Sequence, residues 1–217
     1  TRAGLQRINV SLDTLNEGAF GRITRRGRLS DVLSGIDRAQ EAGLAPIKIN
    51  TVVMGGLNDG EAADLAALSL DRSVDVRFIE YMPLLETKDC VQGAGAFEFV
   101  SSQSTKARIE ERFGRRPVSF RAGRYGLDLT GARILVELGY RVDSSVMPFH
   151  DYSENGGPDF RRAQWTPYWA EGELLEVPGH GPDRDELVLR AVHAELHERE
   201  RDEVEGQRAL WALRVSA

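Results

Sequence analysis

The sequence predicts an α/β fold in which parallel βα units come first and a second, incomplete α/β segment follows. Three observations carry that expectation. Short β-branched runs alternate with helical periodicity from residue 7 to residue 81. The stretches between those runs are long enough to hold helical crossovers, as parallel pairing requires. From Pro117 onward the pattern changes, and glycine and proline cluster between residues 151 and 182.

Residues 7–10, Arg-Ile-Asn-Val, read as a short strand. Residues 28–42 read as a helix, because Leu29, Val32, Leu33, Ile36 and Ala39 recur at spacings of three and four on one face. Gly43 follows as a C-terminal cap, since glycine reaches positive φ at little cost. Residues 47–54 are rich in β-branched side chains and read as the second strand. Gly55, Gly56, Asn58, Asp59 and Gly60 form a loop. Residues 62–70 then read as a helix and 74–81 as the third strand. The carboxyl ends of these strands, at 11–13, 50–54 and 80–82, would meet along one edge of a parallel sheet, where such folds place functional groups.

Residues 84–100 read as loop and 102–113 as a helix. Beyond Pro117, residues 118–120 form a short strand candidate, 130–138 a helix ending at Gly139, and 140–146 an extended run. Residues 151–182 read as mostly loop, 183–205 as a densely charged helix, and Trp211, Leu213 and Val215 alternate like a final short strand.

The bulk numbers narrow the function classes. The net charge of −6 over 217 residues argues against a general nucleic-acid or membrane-surface binder. No apolar run approaches the roughly 18 residues of a membrane helix, and no signal-peptide pattern is present. Cys90 is the one cysteine. It permits no internal disulfide, fits a cytoplasmic setting, and excludes a cluster held by three or four thiolates of this chain alone.

Several residues stand out for chemistry. Lys48 interrupts the apolar run Pro46-Ile47-Lys48-Ile49. It either holds an anion in a polar cavity or lies on a solvated strand face. Arg77 and Glu80 flank Phe78-Ile79 as a structural ion pair or as the polar edge of a site. Ser11 and Asp13 end the first strand and suit either hydrogen bonds to a ligand or capping of the next helix. His193 and His197 lie four apart, but the residue after His193 is Ala194, so the zincin order is broken and a solvated histidine pair is the plainer reading. His150, Asp151 and Asp143 are site-edge groups without an assigned role.

RINVSLDTLN at 7–16, GRITRRGRLSDVLSGIDRAQEAGL, PIKINTVVMGGLND and VRFIEYMPL follow one another in order. These blocks resemble the central part of the GTP 3′,8-cyclases, radical S-adenosylmethionine enzymes of molybdenum-cofactor biosynthesis. The resemblance covers residues 1–85 and continues through FVSSQSTKARIEERFG to about residue 115. It implies a partial βα (TIM-like) barrel. It implies that Ser11 and Met82 contact S-adenosylmethionine and that Lys48 binds the GTP phosphates. The family's 4Fe–4S clusters need cysteine triplets that this chain lacks. No cluster, no reductive cleavage to a 5′-deoxyadenosyl radical and no activity of the chain alone are therefore expected. The resemblance thus implies a truncated cyclase-like protein.

RPVSFRAGRYGLDLTGARILVELGYRVDSSVMPFHDYSENGGPDFR, from residue 116, is instead similar to the later part of polysaccharide-deacetylase-like proteins, metal-dependent hydrolases. The resemblance makes Arg121 the motif arginine at the site edge that helps orient a carboxylate, and the run ELLEVP at 173–178 a later strand. The family's metal-binding aspartate and histidines have no counterpart ahead of Arg121 here, so no metal is expected. The expected organisation is a cyclase-like partial barrel at 1–115, a deacetylase-like segment at 116–182 and a charged tail at 183–217. The alternatives to a truncated cyclase are a deacetylase-like hydrolase fragment and a noncatalytic nucleotide-binding fragment. A half-barrel with open strand edges is expected to be poorly soluble in isolation.

Overall fold

The computed structural model describes residues 4–81, 98–179 and the backbone of 214–216. The chain divides into two compact units, Thr1–Arg116 and Pro117–Ala217.

The first unit contains β1 (Ile8–Ser11), α1 (Glu17–Thr24), α2 (Leu29–Glu41), β2 (Ile47–Val53), α3 (Ala62–Asp71), β3 (Val74–Glu80) and α4 (Ser102–Phe113). Its strands lie in the order β1-β2-β3, all parallel. Ile8 stands opposite Ile47, and Ile47 opposite Val74. One face of this sheet is apolar. Ile47, Ile49, Val53, Val74, Val76 and Phe78 are buried there, and α2 and α3 pack on β2 and β3.

The helix ends follow local chemistry. Gly43 at φ 76 closes α2: its N–H reaches Gln40 O at 2.9 Å and that of Leu44 reaches Ala39 O at 3.0 Å, a Schellman arrangement. Ser101 caps α4, its Oγ accepting from Ser104 N at 3.2 Å. The helix α1 was not expected from the sequence. It has eight residues, two of them glycine, too short and too weakly periodic to read. Its start is nonetheless marked by Asn16, whose side chain accepts from Ala19 N at 2.9 Å.

The second unit contains β4 (Ser119–Arg121), α5 (Leu129–Glu137), β5 (Val142–Asp143), β6 (Tyr168–Ala170), β7 (Leu174–Glu176) and β8 (Arg214–Ser216). Its strand order is β8-β4-β5-β7-β6, parallel except for the β6–β7 pair. Two expectations change here. The extended run at 140–146 forms a ladder only at Val142–Asp143; beyond it Ser144 N still donates to Phe120 O, but Ser145 N and Val146 N donate to the Asp143 and Glu176 side chains instead. In the mostly loop stretch expected over 151–182, the ELLEVP run forms β7 as the resemblance implied, while its partner β6, in which Trp169 faces Leu175, was not expected. Strands of three residues carry no readable alternation. The charged helix expected at 183–205 lies outside the described residues.

Gly139 (φ 77) ends α5 as Gly43 ends α2, and Tyr140 N returns to Leu135 O at 2.9 Å. This turn drops Tyr140 into the core of the second unit with Phe120, Ala132, Leu135 and Leu174.

Candidate functional site

Strand alternation makes the second face of the first unit's sheet polar. Register places Asn9, Lys48 and Asp75 in one row across the three strands, and Ser11, Asn50 and Arg77 in the next. Two cations and one carboxylate therefore share a face with two amides and a hydroxyl. Lys48 is only 4% exposed and Asp75 is also buried. Lys48 thus does not lie on a solvated strand face. A lysine this enclosed is kept where charge or polarity surrounds it, because an ammonium without such surroundings is costly to desolvate. Among the described residues the buried Asn50 Oδ1 has no hydrogen-bond donor. Ser11 is exposed at the carboxyl end of β1.

A lattice of hydrogen bonds holds the strand ends around this face. Asn58, only 1% exposed, is its centre. Its Oδ1 accepts from Met54 N at 2.7 Å, and its Nδ2 donates to Asp13 O at 2.5 Å and Val52 O at 2.7 Å. Asp13 Oδ1 accepts from Val52 N at 2.8 Å. Thr51 Oγ1 donates to Leu12 O at 2.7 Å. Glu61 accepts from Thr14 Oγ1 and Leu15 N, both at 2.6 Å. Burial pushes the Asp13 carboxyl up, and the Val52 N–H partly opposes it.

These contacts correct two sequence readings. Asp13 neither caps a helix nor projects as a free ligand; it ties the end of β1 to β2, and Asn16 is the cap. Arg77 and Glu80 do not lie on one side of the strand, as either a local ion pair or a shared polar edge would need. Three residues apart on a strand, they face opposite sides, and Glu80 accepts from Ser102 N at the start of α4. Asn58 and Glu61 were not singled out from the sequence as site-forming. The signal was an asparagine in a glycine-rich turn between strand and helix, where a side chain can replace missing backbone partners.

Gly55 shows how tightly the loop is drawn. It bridges Glu98, with Gly55 N donating to Glu98 O at 2.8 Å, and a Cβ on Gly55 would lie 2.7 Å from the Glu98 Cβ.

The remaining expected residues belong to the second unit or lie outside the described residues. Met82, Cys90, His180, His193 and His197 lie outside the described residues. Arg121 ends β4, and its Nε donates to Ser144 Oγ at 2.9 Å. His150 Nδ1 lies 3.0 Å from Pro148 O, and its ring stacks on Tyr152. Asp151 pairs with Arg161 at 3.3 Å. Asp143 is wholly buried among hydrogen-bond partners. Among the described residues no three or more His, Cys, Asp or Glu side chains gather as a metal site, and no helix is long and apolar enough to cross a membrane.

Residues 1–68, which include β1, β2, Ser11 and Lys48, match the model of the radical SAM superfamily. The first half of the chain is similar to GTP 3′,8-cyclases. The likeness reaches 48% identity over 115 residues with the GTP 3′,8-cyclase of Gloeobacter violaceus, covering 52% of this chain and 33% of that protein. With the enzyme of Peptoclostridium acidaminophilum it is 59% over 81 residues, covering 37% and 25%. With that of Streptomyces coelicolor it is 56% over 82 residues, covering 38% and 24%. The chain thus spans about a third or less of these curated relatives. A solved structure of a proposed polysaccharide deacetylase from Mycobacterium smegmatis overlaps 98% of this chain and 76% of its own, at 15% identity and a TM-score of 0.38. A likeness that low supports no functional argument.

Among the described residues this face carries the Lys48 and Arg77 cations and the Asp75 carboxylate. It does not fit an iron–sulfur cluster. One cysteine in 217 residues supplies one thiolate, where such clusters take three or four.

Proposed function

We propose that residues 1–115 are the central ligand-facing segment of a GTP 3′,8-cyclase-like barrel of molybdenum-cofactor biosynthesis. In this reading Ser11 and Met82 contact S-adenosylmethionine, and Lys48 holds the GTP phosphates. The observation that carries it is the enclosure of Lys48 in a polar sheet face, in register with Asn9 and Asp75. A charge on a short, rigid strand gives an anion a fixed partner, and desolvation strengthens that pairing. Ser11, two residues along β1 from Asn9, offers a hydroxyl at the strand end where ribose or amino-acid groups are commonly bound.

The 217-residue chain by itself binds nucleotide without radical chemistry in this reading, because its thiolate count supports no cluster. The segment from residue 116 is a separate α/β piece, with Arg121 as its site-edge residue.

Calorimetry of the full chain with GTP and with S-adenosylmethionine tests the reading. Lys48→Met keeps the apolar stem and removes the charge. It should weaken GTP at least tenfold, about 1.4 kcal/mol, while S-adenosylmethionine binding is unchanged. Equal GTP affinity in both proteins would remove Lys48 from the site. Anaerobic iron and sulfide reconstitution should leave no broad iron–sulfur absorbance. Near-stoichiometric loading would overturn the absence of a cluster.

A further inference from the structure

The second unit buries two acids against each other. Asp143 is 0% exposed and Glu176 2%. They stand in register on neighbouring parallel strands, Asp143 on β5 and Glu176 on β7, so both point to the same face of the sheet. Phe120 is in register with Asp143 on the other side. Phe120 and Leu174 pack there against Ala132 and Leu135 of α5, which leaves little access for water.

Protein donors already reach both carboxyl groups. Ser145 donates to Asp143 through its Oγ at 2.6 Å and its N–H at 3.1 Å. Val146 N donates to Glu176 Oε1 at 3.1 Å. Register and burial set the two carboxyl groups side by side. An ionised carboxylate can only accept. A proton on one of them would let it donate to the other, whereas two bare negative charges neighbouring each other in so buried a row would repel strongly.

We propose that Asp143 and Glu176 hold one proton between them, and that this proton is a pH-sensitive fastener for the carboxyl ends of β4, β5 and β7. The Ser145 hydroxyl extends the fastener, because it also accepts from Ala122 N at 2.8 Å. Ala122 directly follows Arg121, so the proton state of the pair reaches the strand end that carries this arginine. The device does not depend on what Arg121 binds.

The charged and titratable surroundings agree. From β6, Tyr168 is in register with Glu176. Its hydroxyl is pushed up to about 12, first by burial and then by the negative charge of Glu176 and Asp143. From β4, Arg121 donates to Ser144 on the strand face opposite Phe120. On α5, Arg133 turns away to Glu171, and Arg141, before β5, pairs with Glu173. Burial raises Asp143 above its ordinary range, with Glu176 and the Ser145 hydrogen bonds opposing it. A raised acid favours the fold fully below its unfolded value. That contribution is lost as pH rises through the folded one. The fastener thus loosens toward alkaline pH.

Amide exchange of the full chain between pH 5 and 9, corrected for intrinsic rates, tests this. The protection of Ser145 and Val146 N–H should fall about tenfold per pH unit above the titration of the pair, while Ile47 and Ile49 in the first unit stay constant. Glu176→Gln offers Asp143 a permanent N–H donor and keeps an acceptor for Val146, so it should flatten the pH dependence. Wild-type infrared spectra should show the carbonyl band of a buried carboxylic acid near neutral pH. A pH-independent wild type, an equal loss of protection in Glu176→Gln, or absence of that band would each overturn the proposal.

Discussion

Asn58→Ala should be among the most destabilising single substitutions in the first unit, lowering its stability by about 3–4 kcal/mol. The side chain makes three hydrogen bonds, to Met54 N, Asp13 O and Val52 O. All three partners are backbone groups at the junction of β1 and β2, and Asn58 itself is almost fully buried. Each group stranded without water costs about 1–3 kcal/mol. Nothing in alanine replaces the amide, and the space it leaves is too confined for free solvation. Urea unfolding followed by circular dichroism should show a lower midpoint, and heating a melting temperature lower by roughly 10–15 °C for a unit of this size. Asn58→Asp keeps the acceptor for Met54 and loses both donations, so it should fall between wild type and alanine. A loss below about 1 kcal/mol in the alanine variant would mean that the lattice is redundant.

The second large effect is expected in the other unit. Tyr140→Ala should cost about 3–5 kcal/mol. Tyr140 is 0% exposed and its ring lies 5.2 Å from that of Phe120, tilted by 56°. Removing the ring forfeits its buried area, the aromatic contact and the packing of Ala132, Leu135 and Leu174 around it. These neighbours sit on a short helix and three-residue strands, which have little freedom to close the cavity. Tyr140→Leu should recover part of the loss by filling volume. Denaturation midpoints of the two variants give the comparison; equal stability of wild type and alanine would show that the cluster is not a core.

Both predictions rest on residues whose importance the sequence showed unevenly. Tyr140 follows Gly139 at a helix end, and that pattern marks a Schellman turn that returns an apolar side chain onto the helix. Asn58 looked like an ordinary loop residue. Its role depends on where β1 ends, 45 positions away in sequence from its Asp13 contact. The same distance hid Glu61, which serves Thr14 and Leu15 across the crossover. Lys48 was visible as an anomaly, a charge in an apolar run, but its burial was not. The Asp143–Glu176 pair was invisible: Asp143 stood out only as an unassigned acid, and Glu176 lay in the run ELLEVP, read as a strand only through the family resemblance, which says nothing of its register with Asp143.

What the sequence determined by itself was the alternation of strands and helices through residue 81 apart from α1, the glycine-capped helix ends and the parallel α/β class. These depend on local propensity and on side-chain period, which neighbouring residues encode. It also carried the likeness to radical-SAM cyclases, because ordered blocks of residues survive as text. What only the tertiary structure decided was which polar groups meet. Register across β1, β2 and β3 set Lys48 beside Asn9 and Asp75, and register across β5 and β7 set two acids side by side. A one-residue slip in either sheet would send those side chains to opposite faces, and register is fixed by packing among strands far apart in the chain.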